Sequence, residues 1–155
     1  MLDLKTAFLC TLEAELGPNR VVGSTPFGMR VISDITGGRV TGPRMSGRIL
    51  ASGADWLVIG SDGSGRIDVR AAIELDDGAI AYATYNGRLN IPPELAAVGF
   101  SRETAETVDP SKYYFRTAPT FETASAKYAW LNRIQAISVG RITRTGVAYS
   151  VYEVL

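Results

Sequence analysis

Between Arg66 and Gly87 the chain spells a hairpin whose two faces sort by chemistry. Ile67, Val69, Ala71, Ile73 and Leu75 alternate with Asp68, Arg70, Ala72 and Glu74, the period-two pattern of a strand with one apolar and one polar face. Asp77-Gly78 has the composition of a two-residue type I′ turn. Counting outward from it sets Asp76 opposite Ala79, Arg70 opposite Tyr85 and Glu74 opposite Ala81. One face then gathers Asp68, Arg70, Glu74 and Tyr85 beside the small residues Ala72, Ala81 and Ala83. Two readings follow. If the face is solvated sheet surface, its acid–arginine pairs contribute under ~1 kcal/mol. If it lines an interior, the alanines leave room for a ligand. Asp68 or Glu74 would then be a general acid or base with a pKa raised by burial. Arg70 would stabilise negative charge developing on oxygen.

A second constellation lies nearer the C-terminus. Tyr114 and Arg116 share one face of a short strand, and Tyr128, Trp130 and Asn132 alternate along what reads as another. Rings in such a pattern are ordinary core. The rival reading is a ligand wall, with Tyr128 and Trp130 stacking, and the Asn132 amide and Arg116 fork making oriented polar contacts. Arg116 suits a carboxylate or an enolate-like oxygen better than a lysine would.

Composition removes several classes of chemistry. Histidine is absent, which excludes Ser-His-Asp and Cys-His nucleophiles and histidine-ligated metals. Carboxylates and tyrosines remain as proton carriers, and nothing calls for a metal or a cofactor. The lone Cys10 cannot form an internal disulfide and reads as a small buried hydrophobe in a reducing cytoplasm. Sixteen basic residues balance sixteen acidic ones, so no surplus argues for nucleic acid. No apolar run is long enough to span a bilayer, and Met1 to Lys5 lacks the pattern of a signal peptide.

These residues need a scaffold, and strand signals supply it. Lys5 to Leu16 alternates, with Phe8, Cys10, Leu12, Ala14 and Leu16 on one face. Val21 to Ile35, Arg39 to Leu50 and Asp55 to Ile59 read as strands, with glycines marking bends. Ser61 to Gly65 and Arg144 to Gly146 are turns, and Ile91 to Val98 opens a short helix near residues 92–98. Strands resume at Tyr113–Thr117, Tyr128–Ile142 and Gly146–Leu155. About nine strands with little helix make residues 1–155 one all-β antiparallel barrel or sandwich. The strand Lys5–Leu16 is a candidate edge for pairing across a homodimer.

The spelling of several segments carries a resemblance. Gly42 to Trp56, Asp62-Gly63, Asp68-Val-Arg70, Asp76-Asp-Gly78, Tyr114-Phe-Arg116, Phe121-Glu-Thr123 and Tyr128-Ala-Trp-Leu-Asn132 together resemble the domain-of-unknown-function family 3237, the UPF0311 proteins, over nearly the whole chain. The resemblance implies a closed, calycin-like or allene-oxide-cyclase-like barrel with an internal cavity. It favours Asp68 and Arg70 pointing inward, and sets Asp55-Trp56 at the barrel mouth or a strand end. The expected activity is cofactor-independent proton transfer on a small aromatic or carbonyl-bearing compound held in the cavity: isomerisation, cyclisation, hydration or a lyase step. Asp68, Arg70 and Glu74 would do the chemistry, and Tyr85, Tyr114, Arg116, Tyr128, Trp130 and Asn132 would bind. The alternative is a non-catalytic carrier or sensor using the same residues.

Overall fold

The computed structural model describes residues 3–155; Met1 and Leu2, part of the N-terminal segment read above, lie outside the described residues. Nine strands form one antiparallel sheet: β1 (Thr6–Leu16), β2 (Arg20–Thr25), β3 (Gly28–Thr41), β4 (Gly47–Ile59), β5 (Gly65–Leu75), β6 (Ile80–Asn90), β7 (Tyr114–Thr123), β8 (Ala136–Ile142) and β9 (Gly146–Val154). Their order is β1-β9-β8-β7-β6-β5-β4-β3-β2, and an added β1–β3 pairing closes eight of them into a barrel. β3 makes this possible by its length. Its first half pairs with β2 and its second half with β1, while β4 runs along both.

Two glycines allow the strands to bend. Gly38 lies at φ +135°, and a Cβ there would stand 2.1 Å from the Glu13 carbonyl oxygen. Gly53 lies at φ +89°, and a Cβ there would stand 1.9 Å from the Arg70 carbonyl oxygen. Both sit where the register shifts, between Asp34 and Arg39 and between Ile49 and Gly53. Such bulges turn a strand around a barrel corner. The sequence places the Gly37-Gly38 pair between two strands, whereas the backbone runs through it as a single bent strand.

Closure settles where the core is. Residues alternate strictly along β5, with Ile67, Val69, Ala71, Ile73 and Leu75 buried. They meet Leu12, Ile49, Ala81, Ala83, Tyr85, Phe115 and Tyr149 in one interior cluster. The Tyr149 ring packs edge-on against Tyr85 at 5.4 Å and Phe115 at 5.3 Å. A bulge between Phe8 and Cys10 buries Leu9 and Cys10 together and leaves Phe8 exposed, so Phe8 departs from the face shared by Cys10, Leu12 and Ala14. β1 pairs with β9 on one side and β3 on the other, and therefore is not the free edge that the Lys5–Leu16 reading expects. The open edge belongs to β2.

The strand expected at Tyr128–Ile142 begins later. Residues Ala129–Arg133 form a 3₁₀ turn, and β8 starts at Ala136. Tyr128 and Leu131 are the buried residues here, and their spacing of three fits the period of a 3₁₀ helix. This turn plugs the end of the barrel where β3–β4, β5–β6 and β7–β8 connect. The long β6–β7 connection covers the other end. It carries a short helix over residues 93–99, a 3₁₀ turn (Pro93–Leu95) running into α1 (Ala96–Gly99), close to the expected 92–98. No helix among the described residues is long and apolar enough to cross a membrane.

Candidate active site

The β5–β6 hairpin decides which side chains can reach the interior. Its loop holds three residues, Asp76-Asp77-Gly78. The Leu75 N–H donates to the Ala79 carbonyl at 2.8 Å, and the Gly78 N–H returns to the Leu75 carbonyl at 2.9 Å. Gly78 takes φ +81°, and the Asp77 carboxylate accepts the Ala79 N–H. A three-residue loop shifts the register by one against a two-residue loop, and a one-residue shift exchanges faces. Arg70 therefore pairs with Thr84, Glu74 with Ile80, and Val69 with Tyr85. Tyr85, Ala81 and Ala83 turn inward; Asp68, Arg70 and Glu74 turn outward.

Each outward residue has a surface partner. Asp68 and Arg70 face one another at 3.4 Å with side chains about half exposed. Arg70 lies over the Trp56 ring. Glu74 accepts a hydrogen bond from the Arg48 Nε and forms an ion pair with its guanidinium. The inward placement expected for Asp68 and Arg70 is corrected by this register, which sets both side chains, with Glu74, on the outer face.

The other expected residues divide in the same way. Tyr114 is exposed, with Arg116 stacked on it at 4.9 Å, and Arg116 donates to the Phe115 carbonyl. Both lie on the outer face of β7. Tyr128, Trp130 and Asn132 belong to the plug. The Tyr128 hydroxyl donates to Asp76 at 2.8 Å, and Arg44 covers Trp130 at 4.4 Å. The Asn132 amide accepts from the Thr123 N–H and donates to the Thr123 and Ala129 carbonyls. Every polar contact of Asn132 is spent holding its own loop. Of the nine expected side chains, the structure brings only Tyr85 into the interior between the two end caps.

What joins Tyr85 there is Asp55. Asp55 pairs with Val69, which pairs with Tyr85, so the three share one inward-facing row across β4, β5 and β6. The β4–β5 pairs stop after Asp55–Val69 and resume at Val58–Arg66. In that gap the Asp55 carboxylate accepts the Asp68 N–H at 3.4 Å, and Arg30 donates to the Trp56 carbonyl. Burial is the main cause that pushes the Asp55 carboxyl up to about 7. The Asp68 N–H opposes the rise and the Asp68 charge adds to it. Burial also raises both Tyr85 and Tyr149, and the Asp55 charge reinforces both. The two phenols therefore remain protonated wherever the carboxyl titrates.

The surroundings are polar on one side. Ser33, the cross-strand neighbour of Asp55, is buried and donates to the Asn19 side-chain oxygen at 2.7 Å. Arg102, from the β6–β7 connection, donates to the same oxygen and to the Leu16 carbonyl. The cap is thus tied to the wall beside Asp55. A carboxyl titrating near neutral pH can take and return a proton, and two undissociated phenols can donate to an oxygen gaining charge. Cys10 is not part of this chemistry: burial pushes its thiol up to about 12.

Asp55 had a signal in the sequence. It falls two residues before Leu57 and four before Ile59, an acid in line with the apolar face of a strand. Tyr149 had less, since the apolar residues of β9 fall on both faces.

The same arrangement of strands recurs in known proteins. The family model described as "Protein of unknown function (DUF3237)" matches residues 4–154. The chain belongs to this family. A UPF0311 protein of Rhodopseudomonas palustris is 36% identical over 154 residues, covering 98% of this chain and 97% of that one. Its crystal structure superposes with a TM-score of 0.92 over the full length of both. A UPF0311 protein of Clostridium acetobutylicum is 43% identical over 105 residues, 67% of this chain and 64% of that protein, just under two thirds of its length. At greater distance, the hydroalkoxylation enzyme phnH of Penicillium herquei is 26% identical over 129 residues, 83% of this chain and 69% of that one. The solved structure of an enzyme from Penicillium herquei shares the fold, with a TM-score of 0.74 at 21% identity. The DUF3237 barrel of this chain therefore shares its fold with these solved structures.

Proposed function

We propose that this protein is a cofactor-independent enzyme that adds a hydroxyl group across a carbon–carbon double bond conjugated to a carbonyl, with Asp55 moving the proton. The observation that carries this reading is the Asp55 carboxyl, held near neutrality on an inward-facing row with Tyr85 and within electrostatic reach of Tyr149. The hydroalkoxylation activity named for the fungal relative supports the choice of an addition over other proton transfers.

In the proposed sequence, the Asp55 carboxylate removes the proton of the substrate hydroxyl as its oxygen attacks the distal alkene carbon. A C–O bond forms, the π bond breaks, and its electrons move onto the carbonyl oxygen as an enolate. Tyr85 and Tyr149 donate hydrogen bonds to that oxygen. The Asp55 carboxylic acid then returns its proton to the carbon next to the carbonyl, which regenerates both carboxylate and carbonyl. No electron or atom is left over, so the carboxyl alone completes the cycle. The substrate is a small, partly aromatic molecule that enters beneath the β6–β7 connection, at the end where Ser33 neighbours Asp55 and Arg102 ties the connection to Asn19. The free Cys10 suits a reducing cytoplasm.

The test uses ortho-hydroxyaryl enones, whose ring closure removes the enone absorbance. Wild-type protein is expected to accelerate closure, with kcat/KM rising as pH increases to about 7 and level above it, because the carboxylate is the active form. An Asp55→Asn variant that folds and closes the ring at the wild-type rate would sink the proposal.

A further inference from the structure

Outside the barrel, four arginines stand in one row. Arg30 pairs with Val58, Val58 with Arg66, Arg66 with Arg88, and Arg88 with Arg116. Residues paired across antiparallel strands project from the same face, so these four line up over β3 to β7 on the solvent side. At about 4.8 Å per strand, the row runs roughly 19 Å around the barrel. Two of its contacts, Arg66–Arg88 and Arg88–Arg116, oppose like charges directly, an arrangement that destabilises a sheet. None of the four enters an ion pair among the described residues, although six other cations do. Each instead donates to a backbone carbonyl: Arg30 to Trp56, Arg66 to Phe27, Arg88 to Gly87 and Arg116 to Phe115. Among the described residues the remaining guanidinium donors make no further hydrogen bond. A chain with equal numbers of acids and bases thus concentrates unneutralised positive charge on one strip.

Part of the strip is concave. A cleft of about 320 Å³ is lined by Arg30, Arg66 and Arg88, by Phe27 and Trp56, and by Asp68 and Asn86 among others. Phe27 is 75% exposed, and a ring that open beside three arginines offers a stacking surface. Asp68 is the one acid there, and Arg70 partly neutralises it.

We propose that this outer cleft binds a phosphate ester of at least two negative charges that carries a planar ring. Arg66 and Arg88, with Arg30 beside them, take the phosphoryl oxygens; guanidinium forks match that geometry with paired hydrogen bonds. Phe27 and the edge of Trp56 take the ring, and Asp68 or Asn86 accepts a hydrogen bond from the part between. The site is separate from the Asp55 interior and stands whether or not the addition chemistry does.

Calorimetric titration with ADP, inorganic pyrophosphate and adenosine tests it. ADP is expected to bind saturably, pyrophosphate more weakly and adenosine not at all, with affinity falling as salt rises. The double variant Arg66→Gln/Arg88→Gln should lose about tenfold or more in ADP affinity, worth about 1.4 kcal/mol or more. Arg133→Gln should bind as wild type. Circular dichroism verifies that each variant is folded, and the single variant Arg88→Gln serves if the double one is not. Absence of saturable ADP binding, or affinity unchanged in a folded Arg88→Gln protein, overturns the site. Equal affinity for pyrophosphate and ADP overturns the ring contact.

Discussion

The two ends of the barrel are closed by different means, and the difference separates structure from chemistry. At one end the 3₁₀ plug inserts Tyr128 and Leu131, and its polar groups answer one another: Tyr128 with Asp76, Ser125 with Asp77, Asn132 with Thr123. At the other end the β6–β7 connection is fastened by Arg102, which donates to the Leu16 carbonyl, and by Glu106, which accepts the Arg144 N–H, and beneath it Asp55 sits with its proton affinity raised. A satisfied polar network rigidifies a fold. A carboxyl held out of water costs stability and gains reactivity. Aromatic residues mark both ends, so rings alone do not tell a plug from a site; the state of the nearest acid does.

This contrast can be broken by experiment. The largest expected effect is on turnover: Asp55→Asn should lower kcat by about 10³-fold, near 4 kcal/mol of transition-state stabilisation, with circular dichroism unchanged. Comparable activity in the variant would place the chemistry elsewhere.

The next effect is on stability against pH. Asp55 has a folded pKa of about 7, above the ordinary 3.8, so between those values the native state holds more protons than the unfolded chain. Stability from this group is full below about pH 4 and is lost as pH rises to about 7, by up to about 4 kcal/mol. Thermal melts of Asp55→Asn should lack that loss, so the variant should gain on wild type from pH 5 to pH 8. A gap between the two proteins that stays constant over this range would show that the carboxyl is not perturbed.

At the plugged end the expectation inverts. Leu131→Ala opens a cavity at a fully buried position and should cost about 3 kcal/mol in denaturant titrations. Its kcat should be unchanged at temperatures where it stays folded. A large loss of kcat would mean that the plug shapes the site. The smallest effect sharpens the role of the phenols: Tyr149→Phe should lower kcat about tenfold with little change in KM, as expected for a donor used chiefly in the transition state.

Much of the barrel was legible. The all-β class, the β5–β6 and β8–β9 hairpins, and the short helix near residues 92–98 follow from period-two alternation and turn residues, and the resemblance of several segments to the DUF3237 family supplied closure. The strands read at Val21–Ile35, Arg39–Leu50 and Asp55–Ile59 are instead divided at 26–27 and 42–46 into β2, β3 and β4. The site was less so, for a local reason. Asp-Asp-Gly admits both a two-residue and a three-residue loop, and choosing between them depends on how Gly78 and the Asp77 side chain fold the turn. That choice moves Tyr85 from one face to the other, and with it the apparent partnership with Asp68 and Arg70. Likewise, Tyr128 to Asn132 alternates like a strand but buries residues three apart. Asp55 was visible as an acid in an apolar row, but its significance depends on Tyr149, which approaches from the far side of the barrel.

Gly53 has a consequence for the mutational landscape of the family fold. With φ at +89° and the Arg70 carbonyl where a side chain would begin, this position accepts no other residue without parting the β4–β5 seam two residues from Asp55. In a randomised library screened for turnover, Gly53 will be as intolerant as the acid itself, although it touches no substrate. A melt then tells the two kinds of loss apart: substitutions at Gly53 unfold early, and those at Asp55 do not.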